Sequence, residues 1–380
     1  MNKPQIRFEG YEDEWKEKKL FEVATYKNGK AHERDINEKG KFIVVNSKFI
    51  STDGKVKKYS NKQNEPLYKN EITFVLSDVP NGKAIAKTFI IDESDKYTLN
   101  QRIAGIMPKY DINTKYLAIT MNRNKYFLRF DDGVKQINLS LEDMKEYRNY
   151  YPSISEQNKI GAIFSKLDNL ITLQEQKYTK LKNIKKALLY KMFPKANETK
   201  PQIRFEGFKN EWKDRTFGEV FNYERPDKYI IKSDKYIENA KTPVLTANKA
   251  FILGYTDEQN TYQTERESIL FDDFTLDTKF IDFPYMLNSS ALKILTIKNR
   301  NDDKLKFNYE LLKLTKFNIL GHARHYISVV QPTKVLTTTV EEQNKIGTVF
   351  SKLANLIELE NKKYEKLKNI KNALLSKMFI

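Results

Sequence analysis

The sequence predicts an α+β chain in which two mixed α/β modules alternate with two long, antiparallel coiled-coil helices, related by a pseudo-two-fold internal repeat. Three observations predict it. KPQIRFEGYEDEWKEKKLFEV at residues 3–23 returns as KPQIRFEGFKNEWKDRTFGEV at residues 200–220. SEQNKIGAIFSKLDNLITLQEQKYTKLKNIKKALLYKMF at residues 155–193 returns as EEQNKIGTVFSKLANLIELENKKYEKLKNIKNALLSKMF at residues 341–379. Between the repeated blocks, residues 29–150 and 222–339 share only a loose sketch: IVVNSKFI against VLTANKAFI, and ITFVLSD against ILFDDFT.

The block 155–193 reads as a helix of roughly 37 residues, about 55 Å long. No proline interrupts it before Pro194, and Ser155 with Glu156 offers a cap and a first-turn acid. Its apolar residues recur at alternating steps of three and four: Ile160, Phe164, Leu167, Ile171, Tyr178, Leu181, Leu188 and Met192. The second copy repeats them as Ile346, Phe350, Leu353, Ile357, Tyr364, Leu367, Leu374 and Met378. Such spacing makes a coiled-coil seam, and an ordinary core helix of this length would overrun a compact domain. About ten residues, reaching at most roughly 35 Å, join Phe193 to the second module. The second helix must therefore run back along the first, with a module at each end. The expected segments are 1–152 (first module), 153–194 (first helix), 195–340 (linker and second module) and 341–380 (second helix).

A second apolar stripe lies beside the seam: Ile163, Leu170 and Ile184, matched by Val349, Leu356 and Ile370. A two-helix coiled coil leaves much of it exposed, which points to partner subunits; near the helix ends, burial beneath the modules is the alternative.

Within the modules, short β-branched and aromatic runs are separated by turn signals. They span residues 41–46, 72–76, 84–91 and 103–107 in the first module, and 243–246, 268–271 and 292–297 in the second. Basic and amide residues gather in the intervening loops. The first module offers Lys48, Lys55, Lys57, Asn81, Lys83, Asn100, Gln101, Arg102, Lys135 and Gln136. The second offers Arg225, Lys228, Tyr229, Asn248, Lys249, Thr275, Lys279, His322, Arg324, His325 and Tyr326. Cations neutralise phosphates, whereas Arg, Asn and Gln can also grip purine edges, so the combination suits a reader of double-stranded DNA. Any one of these residues alone is ordinary solvated surface; the clustering carries the reading.

The bulk numbers agree. The 380 residues hold 67 Lys plus Arg against 50 Asp plus Glu, a formal charge of +17 that attracts polyanions. There is no cysteine, and the three histidines, His32, His322 and His325, set up no evident metal site, so none is expected. No signal core or membrane span is visible, and the expectation is a cytoplasmic protein without membrane contact. Neither a GxxxxGK phosphate loop nor a GxGxxG turn after a strand is present. Asp282-Phe283-Pro284-Tyr285 resembles the D/N-P-P-Y/F signature of amino-group DNA methyltransferases, but Phe stands at its second position and no glycine-rich strand precedes it. A strand-end turn with buried aromatics is the favoured reading.

With PSISEQ (152–157) leading into KIGAIFSKLDNLITLQ, the closing LKNIKKALLYKMF, and their second copies, the whole chain resembles the specificity subunits of type I restriction-modification systems. Val340 departs from the proline-containing lead-in, which implies only a changed helix start. The resemblance implies two target recognition domains, each reading one half of a bipartite, gapped, non-palindromic site. It also implies helices that set the gap and dock two modification (methyltransferase) subunits. Those partners and the restriction subunits would carry S-adenosylmethionine, ATP and Mg, leaving this chain cofactor-free and non-catalytic. The rival readings are a self-sufficient DNA-modifying enzyme, a coiled-coil scaffold and, more weakly, a transcriptional regulator.

Overall fold

The computed structural model describes residues 3–80, 82–233, 235–246, 251–263, 267–318 and 324–380. The chain forms two compact units, residues 1–174 with 363–380, and residues 175–362. Their limits differ from the four sequence segments because each long helix contributes to both units. The helices span Ile154–Met192 and Val340–Lys377, 39 and 38 residues.

In the first unit, Ala24–Asn28, Ile103–Pro108, Ile72–Val75 and Thr88–Ile90 form an antiparallel sheet in that order. Beside it, Phe42–Val45 lies between Tyr59–Ser60 and, in parallel, Tyr97–Leu99. All four residues of Ile72–Val75 are buried, as β-branched and aromatic side chains on both faces of a central strand require. The expected strand over 84–91 shrinks to Thr88–Ile90. Its first residues instead wrap the Asp78 carboxylate, which accepts from Ala84 N (2.7 Å) and Ile85 N (3.0 Å), and Ala86 is left-handed at φ 57°.

The second unit repeats this topology with scarcely related residues. Phe221–Glu224, Leu292–Ile297, Ser268–Asp272 and Thr278–Ile281 make the four-stranded sheet. Ile252–Thr256, Thr242–Leu245 and Met286–Leu287 make the three-stranded one. In each unit the repeated opening block adds a strand that pairs with the residues just before a long helix: Lys16–Lys19 with Arg148–Tyr151, and Lys213–Thr216 with Lys334–Thr337.

The repeated residues make repeated contacts. Arg7 grips Glu156 through Nε and Nη2 (2.9 and 2.8 Å), and Arg204 grips Glu342 likewise (2.9 and 2.6 Å). The next residue, Gln157 or Gln343, accepts through Oε1 from Asn113 N or Lys304 N, at 3.0 Å in both units. That bond fixes a short helix, Thr114–Met121 or Leu305–Leu314, against the long one. The approach demands glycine. A Cβ on Gly161 would lie 2.6 Å from Asn113 Oδ1, and one on Gly347 2.9 Å from Phe307 N.

The opening block also holds the end of the other long helix: Ile6 N–H donates to Lys377 O and Ile203 N–H to Lys191 O, both at 2.9 Å. In the first unit Phe164 lies against Phe379 (5.7 Å between ring centres) and Asp168 bonds Lys371 (2.6 Å). In the second, Phe193 meets Phe350 (6.0 Å) and Lys177 meets Glu360 (3.0 Å). Within each unit the two helix segments therefore run antiparallel.

Two expectations change. The first-helix cap is Ser153, whose Oγ accepts from Glu156 N (3.3 Å), because the helix begins at Ile154 rather than beyond Ser155. Ile160, Phe164, Ile346 and Phe350 are buried in module cores, beside Tyr116 in the first unit and Trp212 and Phe307 in the second. The start of each seam thus serves as a core helix. Leu167 is also buried, while Ile171, Leu181, Leu188, Leu353, Ile357, Leu367 and Leu374 are half-buried. Of the partner stripe, Ile163 and Val349 are half-buried, and Ile163 packs against the first core. Leu170, Ile184, Leu356 and Ile370 remain exposed. No described helix is long and apolar enough to cross a membrane.

Candidate nucleic-acid interface

Strand register decides which loops meet. In the first unit Val75 pairs Ile103 and Val45 pairs Leu99, so the chain leaving Ile72–Val75 and Phe42–Val45 lies beside the turn at 100–102. Leu76 N–H donates to Arg102 O (3.0 Å), and Asn100 N–H to Val45 O (3.1 Å). The short strand Ser77–Asp78 pairs with Ile137–Asn138, and Gln136 Nε2 donates to Ser77 Oγ at 2.9 Å. One end of the module therefore carries Lys48, Lys83, Gln101, Arg102, Lys135 and Gln136, all exposed, together with the half-buried Asn100. Arg102 stands at φ 69°, a left-handed conformation unusual for a side chain of this size. Lys55 and Lys57 are exposed in the loop that returns to pair Tyr59 with Ile43. Gln101 already bonds Glu33 (2.6 Å), so a base would have to displace that carboxylate. Asn81 lies outside the described residues.

Sequence reasoning missed two members of this end. Asp78 organises the loop bearing Lys83, and Arg123 braces it by donating to Ile85 O at 3.2 Å. Neither position carried a motif; the only signal was an acid closing an apolar strand.

The same end of the second module carries Arg225, Lys228, Thr275 and Arg324, all exposed. Arg225 pairs with Asp227 at 2.9 Å. Thr275 N–H and Phe274 N–H close a turn on Asp272 Oδ1 (3.1 and 2.7 Å). Lys279 is exposed on the edge strand, 5.8 Å above the Phe251 ring. Tyr229 is half-buried; its hydroxyl donates to Glu224 (3.0 Å), and burial first, then that carboxylate, push its pKa up to about 12.

His325 and Tyr326 are corrected. They are 0% and 1% exposed, so neither touches DNA in this fold. Both backbone N–H groups donate to Asp273 Oδ1 (3.0 and 2.7 Å), and Tyr326 stacks on Tyr223 (5.1 Å). They support Arg324. Asn248, Lys249 and His322 lie outside the described residues. The Asp282–Tyr285 turn behaves as a structural corner: Tyr285 is fully buried and its hydroxyl shares a 3.0 Å hydrogen bond with Ser268.

A family model for the type I restriction modification DNA specificity domain matches residues 12–183 and again 209–369. The EcoR124I/EcoR124II specificity subunit of Escherichia coli is 34% identical over 157 residues, 40% of this chain and 38% of that protein. The MjaIX specificity subunit of Methanocaldococcus jannaschii is 26% identical over 186 residues, 44% of this chain and 40% of that protein. The matched stretches thus span about two fifths of those curated relatives. A crystal structure of a type I restriction-modification S subunit from M. genitalium superposes with a TM-score of 0.74 at 18% identity, covering 100% of this chain and 99% of that one. That likeness fixes the fold.

Proposed function

The chain belongs to the type I restriction modification DNA specificity family, and on that premise we propose that it is the sequence-reading subunit of such a system. Each module reads one half of a bipartite, gapped, non-palindromic site in double-stranded DNA. One observation carries the reading: two modules of one topology, on contacts repeated nearly atom for atom, present different residues at the same end, cations with amides in the first and cations with a hydroxyl in the second. A conserved frame with divergent reading ends is what two unlike half-sites require. The chain is assigned no chemistry of its own. S-adenosylmethionine, ATP and Mg belong to two modification subunits and to restriction subunits in the assembly. The exposed Leu170, Ile184, Leu356 and Ile370 are assigned to docking the modification subunits.

Expression with its modification subunit, followed by methylome sequencing, tests this. A split, asymmetric methylated motif is expected, and replacing residues 222–339 with another module should change one half only. No split motif would favour a scaffold, and methylation or cleavage by the purified chain alone would favour an enzyme. L170E and L356E should fold normally yet co-purify with less modification subunit. Unchanged co-purification removes that stripe from the interface.

A further inference from the structure

The two modules differ in charge at a pair of buried positions that their shared fold does not require to differ. The central strand ends on the same backbone contact in both: Leu76 N–H donates to Arg102 O (3.0 Å), and Asp273 N–H to Ala291 O (3.1 Å). Asp273 is therefore the counterpart of Leu76. Lys293 is the counterpart of Ala104, since Phe271 pairs with Lys293 where Phe74 pairs with Ala104. An apolar pair in the first module is thus replaced in the second by two charges, 2% and 1% exposed.

Lys293 Nζ lies 3.6 Å from Asp273 Oδ2 and donates to Ser290 O at 2.8 Å. Taking both charges out of water costs more than packing two apolar side chains, and the first module shows that the fold forms without them. The pair's use lies in what Asp273 holds. Its other oxygen accepts from His325 N and Tyr326 N, and its backbone oxygen accepts from His325 N at 3.0 Å. Tyr326 in turn stacks on Tyr223 with the rings 18° apart. Two residues before Tyr326 stands the exposed Arg324, and two after Tyr223 stands the exposed Arg225. Both guanidinium groups are close enough to act on Lys293: burial lowers its pKa, Asp273 opposes, and Arg324 and Arg225 push it lower still.

We propose that Arg324 is a specificity-determining residue that grips a guanine edge in the second half-site, and that Asp273 and Lys293 are its positioning residues. This rests on the DNA-reading assignment above. The planar guanidinium matches guanine O6 and N7 with two parallel bonds only if its backbone is held still. The carboxylate clamp on residues 325 and 326 supplies that restraint.

The complex of this chain with its modification subunit tests it. The wild-type motif comes from methylome sequencing, and binding is then titrated against duplexes carrying each base in turn at every motif position. R324K keeps the charge but loses the fork. It should lose about tenfold or more of the preference at one guanine of the second half-site, with the first half-site unchanged. D273L/K293A, which writes the first module's Leu76 and Ala104 into the second, should relax the same position while melting near wild type. Should that double variant unfold, D273L/K293M, which also removes the carboxylate clamp but keeps the volume of the lysine stem, is expected to relax that position too.

Unchanged preference in R324K, or a uniform loss across all duplexes, would place Arg324 away from the bases and overturn its role. Full discrimination in folded D273L/K293A or folded D273L/K293M overturns the positioning role. A wild-type complex with no split motif is a different result, and it sinks the DNA-reading assignment itself.

Discussion

In the first unit Lys371 bonds Asp168 on the facing helix (2.6 Å); in the second, the equivalent Lys185 bonds Glu310 on the module's short helix (2.7 Å). The repeat explains the switch, because Asp168 of the first helix is replaced by Ala354 in the second. A lysine half-buried among apolar side chains needs a carboxylate, and where the frame lost one the module supplies it. Beside this exchange, the ion pairs Arg7–Glu156 and Arg204–Glu342 are made in both units. The frame is therefore not wholly insulated from the modules it carries. One ion pair belongs to the frame alone, and the other is shared with the variable part.

The largest effect is expected where the units agree. R7A and R204A each strand a glutamate that is 1% or 0% exposed, and breaking a buried pair typically costs about 3–5 kcal/mol. Thermal unfolding and hydrogen exchange should show a similar loss for both variants, each centred on its own unit. A large loss for one and almost none for the other would break the equivalence of the repeats.

A middle effect is expected where they differ. E310A should leave Lys185, 17% exposed, without its carboxylate and destabilise the second unit by about 1–3 kcal/mol. A354D restores the acid at the position that Asp168 holds in the first unit. Added to E310A, it should recover part of the loss, and no recovery would mean that Lys185 cannot reach the frame position. The same logic warns module swaps: an incoming second module lacking an acid at the Glu310 position should be less stable.

How much of this was legible beforehand depends on whether the signal is local or paired. The helices were legible to within a residue or two, because a three-and-four apolar spacing is a property of one segment. So was the strand Leu292–Ile297. Arg7 and Glu156 return together as Arg204 and Glu342, a joint repetition that offered a readable hint of contact. The strand expected over 84–91 failed because the Asp78 carboxylate captures its amide groups, a tertiary effect that no strand propensity contains. His325 and Tyr326 looked like surface because polar and aromatic residues crowd there. Their burial follows from Asp273, whose own signal was a charge closing an apolar run, ILFDD, matched by another within the neighbouring LKILTI. Two charges at the edges of apolar runs read as noise until the fold brings them within 3.6 Å of each other.

The smallest expected effect isolates the first unit's own pair. Burial alone would raise the Asp168 carboxyl, but hydrogen bonds from Lys115 and Lys371 outweigh it and hold its pKa below the usual 3.8. A carboxyl depressed on folding contributes stability that is present in full above the unfolded value and fades as pH falls through the folded one. Wild type should therefore exceed D168A in stability at neutral pH by a margin that shrinks once the pH drops below 3.8. The second unit, with Ala354 at this position, makes no such contribution, so A354G should show a pH-independent difference from wild type over the same range. Hydrogen exchange resolved by unit measures both. A margin for D168A that stays constant down to acid pH would mean that Asp168 matters to the first unit through packing, not charge.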